Sequence, residues 1–229
     1  MIVAAGCGYT ASDSQPDLDV SWLKWPEIIA EKLDKPLYNF AKCGYGNDYI
    51  LDKSLPFISR NYKEIDLVVV GWTDATRLHF YYRHHFNPIR WLDGKDGDDY
   101  SPVYNFLGDY PYSVAQALIS KTDPEIIAEK YYEEIETLTD ICEALNIKYI
   151  FSQMLPPIDH SYIPFKFPHR NLKTKGWLRH PIYDKPMSEV LLRDKEKYLV
   201  SDGDGLHPNK AGHEYIANMY LKKYNRLYG

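Results

Sequence analysis

The sequence predicts an α/β domain built on a mainly parallel sheet. Three observations carry this. Ile65–Gly71 (I-D-L-V-V-V-G) is a β-branched, nearly all-apolar run, the pattern of a strand buried on both faces. Trp22–Leu33 and Pro124–Leu145 space their apolar residues as helices do. Segments of the two kinds alternate along the chain, and such alternation builds a parallel sheet covered on both sides.

Ile2–Ala5 is a short buried-strand run that ends in Gly6-Cys7-Gly8. In Trp22–Leu33 the stripe is Trp22, Trp25, Ile28, Ile29 and Leu33, with Ser21 as the expected N-cap. Pro36–Asn39 reads as a second strand, and Gly44-Tyr45-Gly46-Asn47 as a turn into a helix through Ile50, Leu51 and Leu55. Pro124–Leu145 is a long helix with Ile126, Ile127, Tyr131, Ile135, Leu138 and Cys142 on its core side. Ile147–Ser152 is another buried strand. Asn209–Leu227 is a last amphipathic helix, using Ile216, Met219, Tyr220 and Leu221. Two stretches, about 78–113 and 156–196, break the rhythm. They are rich in Tyr, Phe, Trp, Pro, His and Arg, and loops of that length in a compact domain are usually functional. The reading is one domain over 1–229 with two aromatic-rich insertions.

Composition bounds the function. With 229 residues the chain fits one domain at ~100–200 residues each. No apolar run approaches the ~20 residues of a membrane span. A net charge of −5 argues against a nucleic-acid binder, which needs a basic footprint. The 3 cysteines (Cys7, Cys43, Cys142) are too few for a disulfide framework and lack zinc spacings. Val3-Ala4-Ala5-Gly6-Cys7 has the shape of a lipoprotein cleavage box, but no cationic region or apolar core precedes it, so it reads as a strand and turn. No export signal is visible, and a cytoplasmic or particle-associated location is expected.

In open α/β sheets ligands sit beyond the carboxyl ends of the strands. The expected site loops are therefore Gly6–Thr10, Ala41–Gly44 and Gly71–Asp74, with Asp202–Pro208 before the last helix. Within that last piece, Asp204 and His207 are spaced D-x-x-H. A carboxylate three residues from an imidazole can hold one ring nitrogen and aim the other at the site as a base. A surface turn with a capping Asp explains the same spacing.

The order of the pieces resembles the SGNH (GDSL-type) hydrolase superfamily, nearly end to end, through four short blocks. Ile2-Val3-Ala4-Ala5-Gly6-Cys7-Gly8-Tyr9-Thr10 stands for the strand and G-D-S-x-T of block one. Asn39-Phe40-Ala41-Lys42-Cys43-Gly44 stands for block two, with Gly44 in the place of the oxyanion-hole glycine. Gly71-Trp72-Thr73-Asp74 stands for G-x-N-D, and Asp204, His207 and Pro208 for D-x-x-H-P. Thr73 and Arg77 also fit a narrower subgroup with G-C-S-F-T and G-W-T-x-x-x-R, frequent in marine bacteria and their phages. The resemblance implies a three-layer α/β/α sandwich and an esterase or deacylase without cofactor or metal. Its substrate would be a small-molecule or glycan ester. It implies His207 as base, Asp204 as its orienter, and the Gly44 and Gly8 N–H groups with Thr73 as oxyanion donors. Arg77, Cys7, Cys43, Asn47 and Trp72 are expected against the substrate, Arg77 through an anionic group.

Two departures matter. The nucleophilic serine of the family falls on Gly8, and its oxyanion asparagine on Thr73. Glycine cannot attack a carbonyl. Four accounts stay open: a binding protein that has lost its chemistry; a water activated by His207; a thiol, Cys7 or Cys43, in place of the hydroxyl; or Thr10 or Ser12 brought round by the loop. A viral structural or accessory protein that uses its aromatic insertions as an interface is a further alternative. Asp93–Asp99 lacks the EF-hand order and reads as a solvated loop. His79, His84 and His85 lack partners with metal-ligand spacing.

Overall fold

The computed structural model describes residues 1–12, 21–75, 77–82, 85–90, 124–156, 175–178, 185–200 and 207–229, with the backbone alone at 78–82, 85–90, 124 and 125. The elements in chain order are β1 (Ile2–Gly6), α1 (Trp25–Lys32), β2 (Leu37–Asn39), α2 (Asn47–Asn61), β3 (Leu67–Trp72), β4 (Arg77–Tyr82) and β5 (His85–Arg90). They continue with α3 (Pro124–Ala144), β6 (Lys148–Gln153), β7 (Trp177–Leu178), α4 (Met187–Leu192), α5 (Lys195–Tyr198) and α6 (Lys210–Tyr228).

The main sheet has the order β2-β1-β3-β6-β7, every pair parallel, with β3 at its centre. This is the α/β architecture expected from the alternation. Side chains of a strand point alternately to the two faces, and the core divides accordingly. Ile2, Ala4, Leu67, Val69 and Ile150 face one layer, with Trp25 and Ile29 of α1, Leu191 of α4 and Ile216 and Tyr220 of α6. Val3, Ala5, Val68, Val70, Tyr149 and Phe151 face the other, with Ile50 and Ile58 of α2 and Ile135, Leu138 and Cys142 of α3. Two helical layers on one sheet make the α/β/α sandwich. The register aligns Gly6 with Gly71, so β1 and β3 end side by side.

Some boundaries differ from the expectation. α1 starts at Trp25 rather than Trp22, because Lys24 is extended at the N-cap and Pro26 opens the first turn; Ser21 caps nothing. Ile126, expected in the core stripe of α3, is 64% exposed, one residue off the row of Ile127, Tyr131, Ile135 and Leu138. The first irregular stretch holds the antiparallel hairpin β4–β5, and the second supplies β7, α4 and α5. Elements of 2, 6 and 4 residues are too short to show a period. Among the described residues no helix is long and apolar enough to cross a membrane.

Candidate active site

The site loops leave the carboxyl ends of β1, β2 and β3. After β1 the chain folds back at once: the Thr10 and Ala11 N–H groups both donate to Cys7 O, at 2.8 and 2.9 Å. The β2 loop is drawn alongside. Phe40 N–H donates to Ala4 O and Lys42 N–H to Gly6 O. The Asn39 amide donates to Thr10 O and accepts from Ala41 N–H, tying the two loops together. A turn follows in which Tyr45 N–H donates to Lys42 O across Cys43 and Gly44. Gly44 has φ +79°, the left-handed conformation that glycine takes without strain at the third position of a type II turn. Neither Gly8 nor Gly44 N–H makes a hydrogen bond among the described residues.

His207 enters from the far end of the chain. It stands just before α6 and is fixed through its backbone: Val200 N–H donates to His207 O at 3.0 Å, and Pro208 bridges to Leu199. Asn209 locks the junction. Its side chain accepts from Gly212 N–H and donates to the carbonyls of Lys197 and Leu199. The imidazole lands on Gly8. A Cβ on Gly8 would sit 2.7 Å from His207 Nε2 and 3.1 Å from Cys43 Sγ. The two heteroatoms thus face one point, the place where a side chain at position 8 would begin. Tyr9 flanks the imidazole, with ring centroids 5.8 Å apart.

A second histidine supports this wall. His213, in the second turn of α6, is 1% exposed, and its Nδ1 accepts from Trp25 N–H. Burial, with the charges of Lys24 and His207, pushes its pKa down from 6.5 to about 3. Between those values the unfolded chain takes up a proton that the folded chain does not. Stability conferred by neutral His213 is therefore complete above about pH 6.5 and is lost as the pH falls toward about 3. His213→Gln keeps an acceptor for Trp25 N–H and removes the titration. Thermal melts should show the parent losing Tm more steeply than this variant between pH 6.5 and 4, by a few degrees.

The remaining expected residues are placed as follows. Asp204 lies outside the described residues, as do Asp93–Asp99, His84 and the side chains of His79 and His85. Thr73 is fully buried. Its N–H donates to Asn47 Oδ1 at 3.0 Å, its carbonyl accepts from the Asn47 and Gln153 amides, and its Oγ1 has no hydrogen-bond partner among the described residues. Asn47, expected against substrate, instead spends its side chain on Thr73. Trp72 and Cys7 are 0% and 1% exposed and sit in the two core clusters, so they pack rather than line a surface.

Arg77 does not lie a helical turn beyond Thr73. It opens β4, and it lines a small crevice between α2 and α3 with Asp48, Lys130 and Glu134. Lys130 Nζ is 2.6 Å from Asp48 in that crevice. Burial, then the neighbouring Asp48 carboxylate, holds the Glu134 carboxyl well above its usual range. Tyr9, Gln153 and His213 contribute to the site without a sequence motif to announce them. Among the described residues no three His, Cys, Asp or Glu side chains gather as metal ligands.

No protein-family model and no curated protein sequence matches the chain. Solved structures do. The esterase EstA from Pseudoalteromonas sp., solved in a form inhibited by monoethylphosphonate, aligns over 98% of this chain and 96% of its own at 14% identity, with a TM-score of 0.52. TesA aligns over 99% of this chain and 98% of its own at 13% identity and TM-score 0.48. A protein of the G-D-S-L family from Desulfitobacterium hafniense DCB-2 aligns over 97% and 98%, at 10% identity and TM-score 0.46. At such identities the likeness to EstA concerns the fold. The chain shares the fold of EstA, a parallel sheet between two helical layers.

Proposed function

We propose that the chain is an SGNH-like hydrolase of ester bonds with His207 as its general base. The observation that carries the reading is the position of His207 Nε2, 2.7 Å from where a side chain on Gly8 would begin. A base so placed takes the proton from a nucleophile held beside Gly8 and returns it to the leaving group. Asp204, three residues earlier, is proposed to orient the imidazole and stabilise its charged form. Charge building on the carbonyl oxygen would be met by the N–H groups of Gly8 and Gly44, with Thr73, just past the end of β3, as a third donor. Acylated glycans are the proposed substrates within the ester class. Tyr and Trp, abundant in 78–113 and 156–196, present flat faces with polar tips that suit sugars.

One observation favours a second reading, a glycan-binding or structural module without catalysis: residue 8 has no side chain at all. Hydrolysis of short-chain aryl esters and acetylated sugars, by the parent and His207→Ala, separates the two. Turnover in the parent that drops by ~10³-fold or more in His207→Ala supports the hydrolase. Absence of turnover over the whole panel, with retained sugar binding, supports the module.

A further inference from the structure

The geometry points to Cys43 as the nucleophile of this site, an assignment that rests on the hydrolase reading above. Gly8 cannot attack a carbonyl, yet the space beside it is not left to solvent alone. Cys43 Sγ lies 3.1 Å from the would-be Cβ of residue 8, and His207 Nε2 lies 2.7 Å from the same point. A serine grafted onto position 8 would push against both. The sulfur thus reaches, from the β2 loop, the neighbourhood of residue 8 that His207 Nε2 also reaches.

Three further features suit the role. Cys43 is not in a disulfide and is partly exposed, whereas Cys7 and Cys142 are buried in the core. It sits at the second position of the Lys42–Tyr45 turn, so its side chain projects from a tight bend. Gly44 follows it, left-handed, with an N–H that makes no hydrogen bond among the described residues. The residue after a nucleophile on a sharp turn is a recurrent oxyanion donor. An imidazole beside a thiol can take its proton, and the thiolate is the reactive form.

The reaction balances with these groups alone. His207 Nε2 takes the Cys43 proton as Sγ bonds to the ester carbonyl carbon. The tetrahedral intermediate expels the alcohol, whose oxygen takes the proton from Nε2, and a thioester remains on Cys43. Water then gives a proton to Nε2 and its oxygen to the carbonyl carbon. The C–S bond breaks, the acid leaves, and Sγ recovers the proton.

The test uses Cys43→Ala and Cys43→Ser with the parent and His207→Ala. Thermal melts check that each folds, and two readouts follow: aryl-ester hydrolysis, and the rate of Cys43 alkylation by iodoacetamide located by peptide mapping. The expected result is a loss of hydrolysis by on the order of 10³-fold in Cys43→Ala. Alkylation of Cys43 at neutral pH should be at least about tenfold slower in His207→Ala than in the parent. Hydrolysis retained in Cys43→Ala overturns the nucleophile assignment and leaves the hydrolase reading standing. Alkylation that ignores His207→Ala overturns the thiol–imidazole pair itself. Failure of the hydrolase reading looks different: fast, His207-dependent alkylation in a parent that turns over no ester.

Discussion

Gly8→Ala is expected to slow ester hydrolysis by on the order of 10²-fold or more while the protein stays folded. The added methyl would begin 2.7 Å from His207 Nε2 and 3.1 Å from Cys43 Sγ, closer than carbon comes to nitrogen without displacement. One of the two groups must move, and a shift of about 1 Å in a reacting group costs that much rate. The backbone itself has no objection, because residue 8 is not in the left-handed region. The effect therefore belongs in kcat, with a thermal melt close to the parent's. Unchanged turnover in Gly8→Ala would mean that the reacting atoms lie elsewhere.

The largest loss of stability is expected at Trp25. This side chain is fully buried, stacks on Tyr220 at 4.4 Å between centroids, and donates through Nε1 to Tyr9 O at 2.9 Å. Its backbone N–H donates to His213 Nδ1. Trp25→Ala removes the packing and leaves a cavity between α1 and α6, which costs about 3–5 kcal/mol. Trp25→Phe keeps most of the packing and removes the hydrogen bond to the Tyr9 carbonyl, at about 0.5–1.5 kcal/mol. Tyr9 adjoins Gly8 and flanks His207. The Phe variant should consequently also lower kcat. Denaturant unfolding measures both, and a loss below about 1 kcal/mol in Trp25→Ala would contradict this account of the α1–α6 contact.

The sheet was legible because each of its long strands carries a continuous apolar run. Ile65–Gly71 had to be central, since residues such as Val68 and Val69 point to opposite faces and both are buried. The helices were legible where they are long and one-sided, and the edge of the stripe was not: Ile126 differs from Ile127 only by a turn of about 100°. The hairpin β4–β5 and the short β7, α4 and α5 were hidden because few residues leave no period to read.

In the site, the loops at the strand ends could be ordered from the sequence, but their contacts could not. That Cys43 and His207 both approach Gly8 depends on a turn after β2 and on the Asn209 junction before α6. Asn47 gripping Thr73, and Arg77 turning to the Asp48–Glu134 crevice, follow from how α2 packs beside β3 and α3. Single-residue motifs carry no record of such packing.

The most direct measurement is to mix the protein with p-nitrophenyl acetate, quench it with acid within the first turnover, and map the acetyl group by peptide mass. The account predicts acetyl on the peptide that holds Cys43 in the parent, and none there in His207→Ala at the same time point. Acetyl on Thr10 or Ser12 of the β1 loop, or an adduct at Cys43 that forms equally fast without His207, would contradict it.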